Sequence, residues 1–319
     1  MNIQLLLLIS SLFANLNETQ KPRTDISFDS SAVDYVSQNP EIALDHTNET
    51  WRRFEGYQLV LDWHEMQAVP DPHRVYNRRL SRLIKAQDES YVTFASDIKE
   101  FYTENKNEVI QHITRYLPEN VSFNARAFFV MFTVPYAFSL SDTLVMDVGS
   151  RRWKQNTNYL MNILIHETYH IGYDIKSPDR IGFQPKTREE FVHKVLSVIQ
   201  NEGMATFVAY EALELFPSEI RHEDYDGLED ATKVIEAIRQ INELLDRTTD
   251  DNVQEMEKQA WRTGIAPGRA FYIAGAYMAK VIKENKGLDH LVDLIEKDSK
   301  IFVQEYNSLV DEDFNVMLE

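Results

Sequence analysis

The chain has 319 residues, 43% of them hydrophobic, enough to bury a substantial core in one large domain or two lobes. Its 33 basic and 51 acidic residues leave a net charge of −18, which argues against nucleic acid and anionic membrane surfaces as partners, because both are bound through basic patches. Cysteine is absent, so disulfides, thiolate metal sites and a cysteine nucleophile are excluded.

Taken in chain order, the first feature is an apolar stretch of about ten residues, Leu5 to Ala14, too short to span a bilayer. It reads as the h-region of a secretory signal within residues 1–19, although no Lys or Arg precedes it. A secreted or periplasmic location is therefore expected, without an integral membrane span; an uncleaved N-terminal anchor, or a first helix packed on the domain, is the alternative. Residues 20–30 are polar and read as a mobile lead-in. From about 30 to 117 the pattern is mainly helical, with Leu80, Leu83 and Ile84, then Phe94, Ile98, Phe101 and Tyr102, at spacings of three and four. The cluster Pro70, Asp71, Pro72 breaks it.

Residues 120–149 change character. Phe128 to Val134 form a β-favouring run closed by Pro135, and Thr143 to Val148 form another. Next come Tyr159 to Ile171, apolar nearly all round, the pattern of a buried helix. A loop is expected over 172–189, around Pro178, Gly182 and Pro185, and then a second apolar helix through Val195 to Val208. After Leu215 the chain is helical to its end, with turn signals at Pro217, Gly227, Pro267 and Gly287, and the acidic span Glu223 to Asp230 reads as solvated loop. The expected architecture is α+β and predominantly helical: an N-terminal helical region over 20–117, a metal-site core with a small sheet over 118–217, and a helical C-terminal lobe over 218–319.

The chemistry lies in the first buried helix, where His166, Glu167, Thr168, Tyr169 and His170 form an HExxH sequence. Residues four apart share a helix face, so both imidazoles can bind one Zn²⁺ while Glu167 reaches a water beside it as general base. Burying two imidazoles and a carboxylate costs free energy unless they are paired or metal-bound. A catalytic zinc takes three protein ligands and leaves a position for water. The HExxHxxGxxH pattern fails, because Tyr173 and Lys176 stand where it needs Gly and His. Glu202 is the third-ligand candidate: it lies on the face of Val195, Val198, Ile199 and Thr206, whereas His193 falls on the opposite face and reads as a surface or packing residue. Gly203 marks a close approach by another element, and the HExxH helix is the expected neighbour. The other histidines, His46, His64, His73, His112, His222 and His290, have no motif partner; His112, His290, His46 and His73 read as solvated.

HExxH followed by a glutamate on a second helix resembles the gluzincin group of zinc peptidases. The form NEGMATFVAYEAL is similar to the EGxAxY third-ligand helix of bacterial uncharacterised zinc peptidase families. The resemblance covers roughly residues 120 to 310 and implies a zincin-like fold, a small sheet bordering the cleft, and a peptide or protein substrate. It also implies an oxyanion donor on the helix Tyr272 to Ala279; Tyr272 is the first candidate, with Tyr277 and Arg269 behind it. Phe207 replaces the tyrosine of EGxAxY, and Thr206 stands where thermolysin-like members have an aspartate that orients a zinc histidine. The leading expectation is a secreted zinc metallopeptidase. A zinc hydrolase acting on another amide or ester, and a non-catalytic secreted helical binding protein, are the alternatives.

Overall fold

The computed structural model describes residues 24–39, 53–66, 90–131, 136–150, 156–179 and 184–318. The apolar stretch at 5–14, the 70–72 break, the pattern at 80–84 and residues 132–135 lie outside these.

The chain is mostly helical with one four-stranded sheet. Strand β1 (Asp25–Asp29) is followed by α1 (Ser31–Gln38), α2 (Glu55–Met66) and the long α3 (Ser90–Arg115). Strands β2 (Asn124–Val130), β3 (Ala137–Leu140) and β4 (Thr143–Asp147) come next. The sheet order is β1-β2-β4-β3, with β1, β2 and β4 parallel and β3 an antiparallel edge.

Alternation sorts the side chains of the sheet into two buried faces. On one, Phe128 and Val130 lie against Gly56 of α2, and Phe138 packs on Trp63 of the same helix. On the other, Phe28 contacts Phe129 and the α3 residue Tyr102. Ser139, opposite Leu144 in the β3–β4 register, falls on this second face, which the HExxH helix also covers. Covering both faces explains why every residue of β4 is buried, a run with no polar side.

Two helices carry the site. In α4 (Thr157–Lys176) the Asn156 side chain caps the first turn by accepting from the Tyr159 N–H, and the helix ends at Ser177, whose extended backbone precedes Pro178. Helix α5 (Arg188–Glu211) is capped by Thr187, which accepts from Glu190 N–H. Helices α6 (Glu223–Glu229), α7 (Ala231–Asp246) and α8 (Val253–Ala260) lead through a π-helical turn at Trp261–Ile265 into α9 (Ala270–Lys286). Helices α10 (Leu288–Asp293) and α11 (Ser299–Asn307) complete the chain. One connected apolar cluster runs from Ile26 to Val316 and draws on all three expected segments.

Several expectations are corrected, among them the start of the loop expected over 172–189, since the HExxH helix runs on to Lys176. Residues 25–29 form β1 rather than a mobile lead-in: Ile26 is buried, Phe28 packs on the core, and the hydrogen-bonding partner is a strand about a hundred residues later. The acidic span at 223–230 is helix α6, and its Asp224 is buried rather than solvated. His112 is buried too, its Nε2 2.8 Å from the Val208 carbonyl oxygen.

Gly203 does mark a close approach, but to α9 instead of α4. Its Cα lies against Gly275, and a Cβ on either residue would overlap backbone of the other helix. No helix among the described residues is long and apolar enough to cross a membrane.

Candidate metal centre

His166 and His170 sit one turn apart on α4 and present their Nε2 atoms to one point, 3.1 Å from each other. From α5, Glu202 brings Oε2 to 3.5 Å from His166 Nε2 and 3.4 Å from His170 Nε2. A tetrahedral zinc with ligand distances of about 2.0–2.1 Å has donor–donor edges of about 3.3 Å, so this triangle fits such an ion. Two imidazoles and a carboxylate are also the donor types that zinc takes.

The proton placement on His170 fits as well. Its Nδ1 contacts the Asn201 side-chain oxygen, an acceptor, so Nδ1 carries a hydrogen and Nε2 is the ring nitrogen that faces the centre. The Asn201 amide is itself oriented by donating to Asp174 Oδ1 at 3.2 Å. Asn201 and Asp174 thus do for His170 what the aspartate missing at position 206 would do. Sequence reasoning missed both. Asp174, four residues after His170 on the same helix face, was the available signal.

Burial and charge shape the carboxylates. Burial pushes Glu202 up, but His170 and His166 outweigh it and hold the carboxyl well below its usual range. Conversely, burial pushes His170 down, yet Glu202 overrides it and raises the imidazole to about 9. Glu167 is pushed up by burial, with His166 and His170 opposing only in part. The Ser139 hydroxyl, on edge strand β3, is near enough to the Glu167 carboxyl to lower it slightly against that rise. No motif pointed to Ser139, which lies in a four-residue strand.

Tyr272, on α9, stacks on His166 with ring centroids 6.2 Å apart and planes at 23°. Burial and the Glu202 charge push its hydroxyl well above the ordinary phenol value, and the Glu167 charge acts in the same direction. Arg269 lies with its guanidinium carbon 3.4 Å from the Tyr272 ring centroid. Tyr277 is elsewhere, packed on Tyr306 and Phe314.

A second group, Asp179, His193 and Asp298, also converges. There Asp179 accepts from Ser197 Oγ at 2.9 Å and from the N–H of Ser299, the first residue of α11, at 3.1 Å, with His193 alongside at 3.2 Å and Asp298 capping the helix. It reads as a capping knot that ties α11 to α5.

Fold and centre together define a predominantly helical protein with an HExxH helix and a three-donor group able to hold a metal ion. The family described as "Putative zinc dependent peptidase (DUF5700)" matches residues 30–314, nearly the whole chain, and the protein belongs to it. No curated protein and no solved structure matches the chain.

Proposed function

We propose that the protein is an exported zinc metallopeptidase of the gluzincin type, with His166, His170 and Glu202 as ligands and Glu167 as general base. The observation that carries this reading is the meeting of three donor atoms within hydrogen-bonding range of one another, beside a second, half-buried carboxylate, Glu167, on the same helix as the histidines. Family membership supports a zinc peptidase, and the apolar stretch at Leu5 to Ala14 supports export.

A zinc ion held there supplies Lewis acidity to the scissile carbonyl and acidifies water at neutral pH. The rest falls to the chain's own side chains. The Glu167 carboxylate, with the Ser139 hydroxyl nearby, takes a proton from the attacking water and returns it to the leaving amine nitrogen. Because burial raises the Glu167 carboxyl, it holds that proton more readily than an exposed glutamate would. Asn201 and Asp174 keep His170 Nε2 directed at the centre. The Tyr272 hydroxyl donates to the oxygen that gains negative charge. Strand β3 is the sheet edge that contacts the HExxH helix, and an extended peptide pairing with it would lie across Glu167.

Metal analysis with a peptide-hydrolysis assay tests the reading. Purified protein should carry about one zinc per chain. It should cleave a quenched fluorogenic peptide library, lose that activity to a chelator and regain it with zinc. Stoichiometric zinc without any peptide cleavage would reject the peptidase assignment, and absence of zinc would reject the centre itself.

A further inference from the structure

Arg269 is the residue whose geometry the proposed reaction leaves unused. It sits immediately before α9 with φ at +61°, a left-handed backbone that L-residues other than Asn and Asp seldom adopt. That turn folds its side chain back over its own helix. Nη1 donates to the Ile265 carbonyl oxygen at 3.2 Å, while Nε donates to Asp224 Oδ1 at 3.0 Å and Nη2 donates to Asp224 Oδ2. Asp224 is 2% exposed and has a further partner in His222, whose Nδ1 lies 3.0 Å from Oδ2. With both terminal nitrogens and Nε engaged, the guanidinium is held against rotation, and its central carbon lies over the Tyr272 ring, 3.4 Å from the centroid. Tyr272 in turn stacks on the His166 imidazole.

We infer that Arg269 is a positioning residue of the metal centre: locked by Asp224, it holds the Tyr272 ring against His166 and so sets both the imidazole and the phenol hydroxyl. The inference rests on the zinc-peptidase reading for its catalytic consequence, but not for its effect on metal retention. A buried arginine–carboxylate pair is weak evidence of stabilisation, since apolar residues of the same size often serve as well. What apolar residues cannot reproduce is a rigid, planar, charged surface for an aromatic ring. It follows that the direct oxyanion role considered for Arg269 is the poorer use of this side chain, whose donors are directed at Asp224 and Ile265.

The test uses zinc-loaded, full-length protein and two readouts: the rate at which a chelator strips zinc, measured without substrate, and kcat on a fluorogenic peptide. Arg269→Lys keeps the charge but loses the fork and the plane. It should speed zinc release about tenfold, the scale of outer-shell changes at metal sites, and lower kcat about tenfold with KM nearly unchanged. Tyr272→Ala should speed zinc release similarly, and adding Arg269→Lys to it should change the rate by less than about twofold, because residues acting as one unit are not additive. Asp224→Asn, which frees the guanidinium while preserving its bulk, should reproduce the Arg269→Lys result and serves if that variant fails to fold. Equal losses from Arg269→Lys in the wild-type and Tyr272→Ala backgrounds would overturn the inference, as would a folded Asp224→Asn with wild-type zinc release. Unchanged kcat in Tyr272→Phe would reject only the hydroxyl's role in the reaction, since zinc release still decides the clamp.

Discussion

Gly203→Ala is the most exacting probe of how the two helices behind the centre are held. A Cβ at 203 would stand 2.3 Å from the Cα and carbonyl carbon of Gly275 and 2.8 Å from the Ala276 nitrogen. Ordinary contact begins at 3.4 Å, so α5 and α9 must separate by about 1 Å, and both obstructing groups are backbone. Overpacking of this kind costs about 3 kcal/mol, while alanine recovers about 1 kcal/mol of helix propensity, leaving a net loss of about 2 kcal/mol. At roughly 2.1 cal/mol/K of unfolding entropy per residue, that loss lowers Tm by only about 3 °C in a chain of 319 residues. Activity should suffer more. Glu202 precedes Gly203 on α5, and Tyr272 lies one turn before Gly275 on α9, so the separation falls between a metal donor and the ring that stacks on His166. A misplacement near 1 Å costs about 10²-fold in rate. Differential scanning calorimetry and kcat on a fluorogenic peptide check the pair of numbers. A variant within about 1 °C of wild type in Tm and within about threefold in kcat would refute the claim that this glycine contact sets the position of Tyr272.

Glu167→Gln should remove hydrolysis by at least about 10²-fold while zinc content, read by mass spectrometry, stays near wild type; loss of metal would refute its role as a non-ligand base. Glu202→Ala should weaken zinc binding by more than the roughly 10²-fold that outer-shell changes cause, and full occupancy after dialysis would point to another third donor. For Ser139→Ala, loss of the hydroxyl that lowers the half-buried Glu167 carboxyl, worth about 1 kcal/mol, should lower kcat about fivefold with KM unchanged, and steady-state kinetics showing no change would sink the assignment. Asp224 supplies a pH test. Although burial pushes it up, His222 and Arg269 hold the carboxyl far below its usual range, so its stabilisation is present above the unfolded value of about 3.9 and is lost as pH falls through the lower folded value. Melting curves should show Asp224→Asn less stable than wild type at pH 6, with the gap closing as pH drops from 4 toward 2; a constant gap contradicts the depressed value.

What the sequence disclosed, and what it hid, follows from the range of the interactions. The HExxH spacing is local, and one helical turn suffices to bring His166 and His170 together. Periodicity within α5 likewise singles out the Glu202 face, and Gly203 signals a tight crossing one residue later. Which helix makes that crossing is a tertiary matter, so α9 could not be read from a glycine in α5. Asn201 illustrates the same limit. Its neighbour Glu202 stands out as a carboxylate among apolar residues, whereas an asparagine on the next position round reveals its target only once α4 lies alongside. Strand β1 was hidden for a different reason. DISFD carries two acids in five residues, and the parallel partner that makes it a strand is β2, far along the chain. In α6 the acidic composition suggested solvent, but Asp224 is buried because Arg269, 45 residues later, neutralises it.

That neutralisation bears on the centre as a whole. Three carboxylates, Glu167, Glu202 and Asp224, stand along the wall formed by α4, α5 and α6, and the Arg269 guanidinium pairs with Asp224 alone. Asp224 and Arg269 cancel, which leaves Glu167, Glu202 and, behind Asn201, Asp174 around two imidazoles. The Asn201 oxygen takes the His170 Nδ1 hydrogen, so the ring nitrogen that turns to Glu202 is Nε2. Carboxylates drawn into so enclosed a site attract positive charge, and desolvating them without a cation to offset them is costly. Carboxylate charge and donor spacing are independent properties of the site, and both suit a cation.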